Sequence, residues 1–152
     1  CRYCHDGVEK SWYSNVPAAE TCMNCHSAVR ASDPRLEPVR ASYKDGAKPV
    51  EWVQIHKLPD YAFFNHSVHV NRGVSCVECH GRVDQMDEVR HEKHFSMTFC
   101  LDCHRDPEKR LRPLDKITDL AYDRSLDPEN KDRNFVKEWH IKTSENCSAC
   151  HR

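Results

Sequence analysis

The sequence predicts short α-helices and irregular loops, with little or no β-sheet, wrapped around a core that its own side chains do not supply. Three observations carry this. Five Cys-x-x-Cys-His pentapeptides use all ten cysteines: Cys1/Cys4/His5, Cys22/Cys25/His26, Cys76/Cys79/His80, Cys100/Cys103/His104 and Cys147/Cys150/His151. Only 38% of the residues are hydrophobic while 31% are charged, with a mean hydropathy of -0.84, so a chain of 152 residues has little apolar material to bury. Four glycines and eight prolines punctuate it, and no segment alternates with the period of two that a half-buried strand requires.

Each pentapeptide reads as a covalent c-type haem site, because two thiols add across the two vinyl groups of the porphyrin and the next residue supplies an imidazole to the iron beneath. A disulfide framework needs no histidine after every second cysteine, and zinc knuckles pair two Cys-x-x-Cys units without that fifth residue. The expected cofactors are therefore five haem c groups, with proximal ligands His5, His26, His80, His104 and His151, and the expected fold class is a multihaem c-type cytochrome. The porphyrins are expected to make up much of the core. Thioether formation needs reduced thiols and haem outside the cytoplasm, which points to the periplasmic face of the bacterial cytoplasmic membrane. The formal charge of -1 gives no basic patch of the kind that binds nucleic acid.

The motifs start at positions 1, 22, 76, 100 and 147, giving haem pairs near 1–26 and 76–104 and a fifth haem near 147–151 within one domain, residues 1–152. Proline placement and apolar spacing predict helices from Pro17 to about Arg30, from Pro113 to about Tyr122, and near Asn134 to Lys142. Residues 27–75 carry Pro34, Pro38, Pro49 and Pro59 and then the aromatic, histidine-rich run 61–69. Residues 105–146 are crowded with charge, notably Arg105–Arg112 and Asp127–Arg133, and such runs predict a solvated face.

Six histidines remain for the distal positions: His56, His66, His69, His91, His94 and His140. Five irons need at most five of them. His56, His66 and His69 are the strongest candidates. His140 is possible, and His91 and His94 compete with Met97, whose thioether can also ligate haem iron. Met23 and Met86 read as packing residues. With protein ligands on both faces, the irons have no substrate position, so the chain reads as an electron-transfer protein with no catalytic residues.

Phe64-Asn-His66-Ser-Val-His69 followed by Cys76-Val-Glu-Cys79-His80 resembles the Phe-x-His-x-x-His…Cys-x-x-Cys-His unit of class III multihaem cytochromes. The resemblance implies that His66 pairs with His80 on the third haem and that His69 crosses to another. A longer set of residues resembles the pentahaem cytochrome subunit of alternative complex III, a bacterial quinol:electron-acceptor oxidoreductase. It comprises Cys22–His26, Pro49–Asp60 with Trp52 and His56, Phe64–His69, Cys79-His-Gly81 and Met97–Arg105. It covers about residues 1–112, and the remainder only through the fifth motif. It implies an iron–sulfur protein and integral-membrane quinol-site subunits as partners, and a monohaem cytochrome c or a terminal oxidase as acceptor. The family carries a Phe-x-His-x-x-His unit and a membrane anchor before its first haem motif, which points to an upstream signal or anchor segment outside this chain. His91 and His94 depart from the family pattern and leave the fourth haem's distal ligand open.

No apolar stretch in the sequence has the length of a membrane span. Trp52, Ile55 and Leu58 recur at intervals of three and would form an apolar stripe if helical, suited to a porphyrin or to a partner subunit. Two further readings stand beside the complex subunit: a subunit of an extracellular haem filament, and a multihaem reductase with one open iron. All five motifs end in histidine, which weighs against the last.

Overall fold

The computed structural model describes residues 1–44 and 46–151. Its helices are short, as expected: α1 (Ala19–His26), α2 (Glu37–Ser42), α3 (His66–Val70), α4 (Cys76–His80), α5 (Met97–Arg105), α6 (Phe135–Glu138) and α7 (Cys147–Cys150), with single 3₁₀ turns between them. Among the described residues there is no strand. Two isolated antiparallel bridges, Ala62 with His151 and Val74 with Leu111, tie distant segments together. No helix among the described residues is long and apolar enough to cross a membrane.

The apolar core is small: Val39, Val70, Leu111, Ile117 and Phe135 are the buried hydrophobic residues. Around Phe135, which is 0% exposed, the structure builds its densest cluster. The Trp139 ring stacks on it at 4.4 Å between centroids, and the guanidinium carbons of Arg124 and Arg133 each lie 4.6 Å from its ring centre. Gly73 closes the same region with φ +85°, and a Cβ there would come within 2.6 Å of the Trp139 ring and 2.8 Å of the Arg112 carbonyl.

The second charged run is largely the solvated face that its composition predicts, with Asn130 its one buried residue, while the first turns inward at Leu111 and Arg112. Glu78, inside the third pentapeptide, pairs with Arg110 at 3.0 Å and with the buried Arg112 at 3.1 Å. Asp127 accepts hydrogen bonds from Tyr122 Oη and Asn130 Nδ2, each at 2.8 Å, and Arg124 pairs with Glu108 at 2.8 Å. Guanidinium is weakly hydrated and presents planar donors, so arginine can enter a core when carboxylates and carbonyls meet it.

All three predicted helices shorten. The first begins at Ala19 and ends at His26, and Arg30 already has φ +53°. From Pro113 onward only the 3₁₀ turn Leu114–Lys116 forms, and the Asp119 carboxylate accepts from Ala121 N at 3.1 Å, a local bond that competes with helical pairing. The third is the single turn Phe135–Glu138, capped by Asn134 and stopped by φ +50° at His140. The stripe of Trp52, Ile55 and Leu58 does not form either, because the segment between Pro49 and Pro59 is non-helical, leaving Trp52 and Val53 exposed. Its β-branched Val50, Val53 and Ile55 favour that extended course.

Candidate haem centres

The pentapeptides build their own scaffolds. Within one helical turn the residues i, i+3 and i+4 share a face, so two thiols and an imidazole emerge together. Ser75 caps the third motif by accepting from Val77 N at 3.4 Å, and Asn146 caps the fifth by accepting from Ser148 N at 3.1 Å. The fourth motif lies inside α5, whose cap Ser96 accepts from Phe99 N at 3.2 Å. The first motif is a turn closed by His5 N donating to the Cys1 carbonyl at 2.8 Å. All ten thiols are free of disulfides, and no three His, Cys, Asp or Glu side chains converge on a metal-sized point among the described residues. Burial, reinforced by negative neighbours, pushes the Cys79 thiol up to about 12.

In the polypeptide Cys1, Cys4, Cys25, Cys100 and Cys147 are exposed, and Cys22, Cys76, Cys79, Cys103 and Cys150 are half-buried. The reason lies in what each motif packs against. Cys4 belongs to a bare turn and Cys25 to α1, whereas α4 carries Glu78, which pairs with Arg110 and with the buried Arg112. Exposure leaves the spacing of the motifs intact, so Cys4 and Cys25 present their sulfurs outward beside His5 and His26.

The motif histidines are oriented by backbone carbonyls. Nδ1 of His5 donates to Asn15 O at 2.8 Å, of His26 to Val29 O at 3.0 Å, of His104 to Ser144 O at 2.7 Å and of His151 to Tyr61 O at 3.2 Å. A carbonyl only accepts, so each ring carries its proton on Nδ1 and presents a bare Nε2, the arrangement in which imidazole ligates a metal. His80 is kept neutral by other means: burial, and then the nearby His56 and His66, push it down to about 4.

Helix α3 carries two more such rings. Asn65 caps it by accepting from Ser67 N at 3.0 Å, and His66 and His69 then project one turn apart. Their Nδ1 atoms donate to Trp12 O and Asn65 O, each at 2.8 Å. The His66 and His80 ring centroids are 6.5 Å apart with planes within 6°, and those of His69 and His104 are 6.1 Å apart at 41°. Two imidazoles gripping one iron from opposite sides at about 2 Å per bond have centroids about 6 Å apart, so both pairs have the spacing that a shared iron requires.

The other distal candidates are placed less uniformly. His56 Nε2 is buried without a hydrogen-bond partner, and its ring meets that of His80 edge-on at 4.3 Å. His91 Nε2 donates to Ile55 O at 2.6 Å, which engages the nitrogen a ligand would need free. His94 and His140 are placed outside the core, His94 exposed and His140 after α6, and Met97 opens α5 at 65% exposure. Met23 is half-buried, and Met86 lines a hollow beside α4 with Val77, Gly81 and Arg82.

The surface also fits large apolar prosthetic groups. The polypeptide exposes 10932 Å², and a compact monomer of 17.8 kDa exposes about 8,000 Å². Tyr3, Trp12, Tyr61 and Phe63, all near pentapeptides or their partner histidines, are among the exposed rings. Residues 62–152 match the family described as cytochrome c7 and related cytochrome c.

This chain is a member of that cytochrome family. Membership assigns it covalently bound haem c and electron transfer, and the short-helix, sheet-free fold agrees with it. Over 80 residues it is 35% identical to the multiheme cytochrome c subunit of a menaquinone reductase from Nitratidesulfovibrio vulgaris, covering 53% of this chain and 37% of that protein. It is 31% identical over 80 residues to cytochrome c-552 of Desulfotalea psychrophila, covering 47% and 16% of the two chains. A cytochrome c-552 of Maridesulfovibrio salexigens is 23% identical over 133 residues, covering 75% of this cytochrome and 26% of its own length. The chain thus spans well under half the length of these relatives.

Sequence reasoning missed the carbonyls that hold the rings, since Asn15, Val29, Ser144, Tyr61 and Trp12 act through backbone atoms that every residue has. The caps were readable: Ser75 and Asn146 stand directly before the first cysteine of their motifs, where a helix beginning at that cysteine needs an acceptor.

Proposed function

We propose that this cytochrome binds five haem c groups, one at each pentapeptide, in a single domain, and relays electrons as a subunit of a quinol-oxidising complex on the periplasmic face of the bacterial membrane. The observation that carries the relay is α3, which brings the His66 ring to 6.5 Å from that of His80 and the His69 ring to 6.1 Å from that of His104. Bound haem c supplies reversible one-electron exchange at its iron. The chain's own part would be to offer imidazoles to the haem irons, with His5, His26, His66, His69, His104 and His151 held by backbone carbonyls and His80 by burial, which would exclude substrate and fix ring orientation. With His66 and His69 one turn apart, α3 would also set the separation of the irons they hold. The partners are an iron–sulfur protein and integral-membrane quinol-site subunits on the donor side, and a monohaem cytochrome c or terminal oxidase as acceptor.

Support for the complex comes from the motifs shared with the pentahaem subunit of alternative complex III. The relative named as a menaquinone reductase subunit supports a quinone-linked complex running the opposite way. Adding a reduced quinol analogue to the oxidised native complex separates the two: prompt haem reduction favours quinol oxidation, and reduced haems that pass electrons only to the quinone favour the reverse.

Two outcomes are expected. Mass spectrometry of the denatured chain shows five haem adducts, and a smaller number overturns the five-haem reading. Fractionation of native cells places most of the protein in membranes, where it solubilises with stoichiometric partners. Recovery as a free soluble protein, or as an open-ended ladder of this chain alone, overturns the complex reading.

A further inference from the structure

We infer that the five haem sites follow one another in space in the order second, first, third, fourth, fifth, so that the relay ends at the second and fifth motifs and the first is internal. The inference rests on the five-haem reading and goes beyond it, because position along the chain does not give position in the relay.

The first and second pentapeptides touch through their interior residues, with Asn24 Nδ2 donating to Tyr3 Oη at 2.8 Å. Residues 18–47 reach another pentapeptide through this bond to Tyr3, and the ion pairs of Asp33, Arg35, Glu37 and Arg40 stay within the segment, which puts the second motif at one end. The loop after His5 does two tasks. Its Asn15 carbonyl orients His5, and its Trp12 carbonyl orients His66, the ring opposite His80 of the third motif. Ser67 N donates to Ser11 O at 3.1 Å and strengthens the same join. The first site is therefore flanked by the second on one side and the third on the other.

From the third site, α3 leads to the fourth, since His69 on the next turn faces His104. The fourth is joined to the fifth by the segment that runs straight into Cys147. Its Ser144 carbonyl orients His104, its Thr143 hydroxyl donates to His104 O at 2.6 Å, and its Glu145 pairs with Arg105 at 2.8 Å. The joins are hydrogen bonds or an ion pair between second and first, first and third, and fourth and fifth, and a ring approach of 6.1 Å between third and fourth, which is how a small chain fixes the spacing of its sites.

The order assigns the docking ends. A donor and an acceptor that meet the relay at its termini must cover the surfaces around the second and fifth motifs, at opposite ends of the string.

Locating the irons in crystals of the purified holoprotein by anomalous scattering at the iron edge tests the order directly. The expected result is that the second iron has the first as its nearest neighbour, the first lies between second and third, and the fifth is nearest the fourth. A second iron nearest to the third, fourth or fifth, or a first iron at the end of the string, overturns it. Fewer than five irons per chain would instead count against the five-haem reading, and the neighbours of those present would still decide the order.

Discussion

Substituting His66→Ala is expected to leave all five haems covalently attached while converting one of them from low spin to high spin. The thioethers depend on cysteines elsewhere, so the adduct count does not change. The iron opposite His80 loses its second imidazole, because His66 is the ring at 6.5 Å with parallel planes. The variant also gains a carbon monoxide band of one haem's amplitude, whereas the parent protein, with its axial positions filled by the chain, shows little change. His69→Ala moves a different haem, the one opposite His104. His66→Met separates ligation from packing: a thioether restores low spin and raises that haem's potential, which an inert filler would not do. An unchanged spectrum in His66→Ala, with the substitution verified, would sink the assignment.

How much of this was legible differs by level. Covalent haem c was, because cysteine spacing records it, and the resemblance around Phe64–His69 singled out two rings that lie 6.5 Å from His80 and 6.1 Å from His104. How deeply each motif sits was not: Cys25 and Cys79 hold the same place in identical spacings, yet only Cys79 lies on a helix with buried neighbours. Helix lengths were hidden too. Propensity and apolar spacing extended helices through Arg30, Tyr122 and Lys142, and local backbone turns ended them earlier: Asp119 captures a neighbouring backbone N–H, and Arg30 and His140 take positive φ. Least legible was the region 105–140. Its charge count reads as solvent-facing, yet Arg112 is buried and Arg124 half-buried, because their partners Glu78 and Glu108 are 34 and 16 residues away in the sequence and charge density alone does not reveal them. His91 shows the same limit: a histidine near a motif counts as a ligand candidate until its Nε2 is found bonded to Ile55 O.

Phe135→Ala is expected to be the most destabilising single change outside the haem motifs. The ring is 0% exposed and is the largest of the few fully buried side chains. Removing a buried phenylalanine costs about 3–5 kcal/mol, from lost transfer energy and from the cavity left behind. Here the loss extends to charge, because the guanidinium carbons of Arg124 and Arg133 each lie 4.6 Å from the ring centre, and such contacts contribute about 0.5–1 kcal/mol at an exposed group such as Arg133 and more at the half-buried Arg124. In a chain of this size the midpoint of thermal unfolding, followed by circular dichroism of the holoprotein, should fall on the order of 10 °C. Phe135→Leu keeps most of the volume and removes the π face, so it should recover part of the loss and leave the cation contribution. Leu126→Ala, at a site 79% exposed, should change stability by less than about 0.5 kcal/mol. If Phe135→Ala behaved like Leu126→Ala, the tethered porphyrins alone would be holding residues 105–140 in place, and the arginine cluster would be a consequence of the fold and not one of its causes.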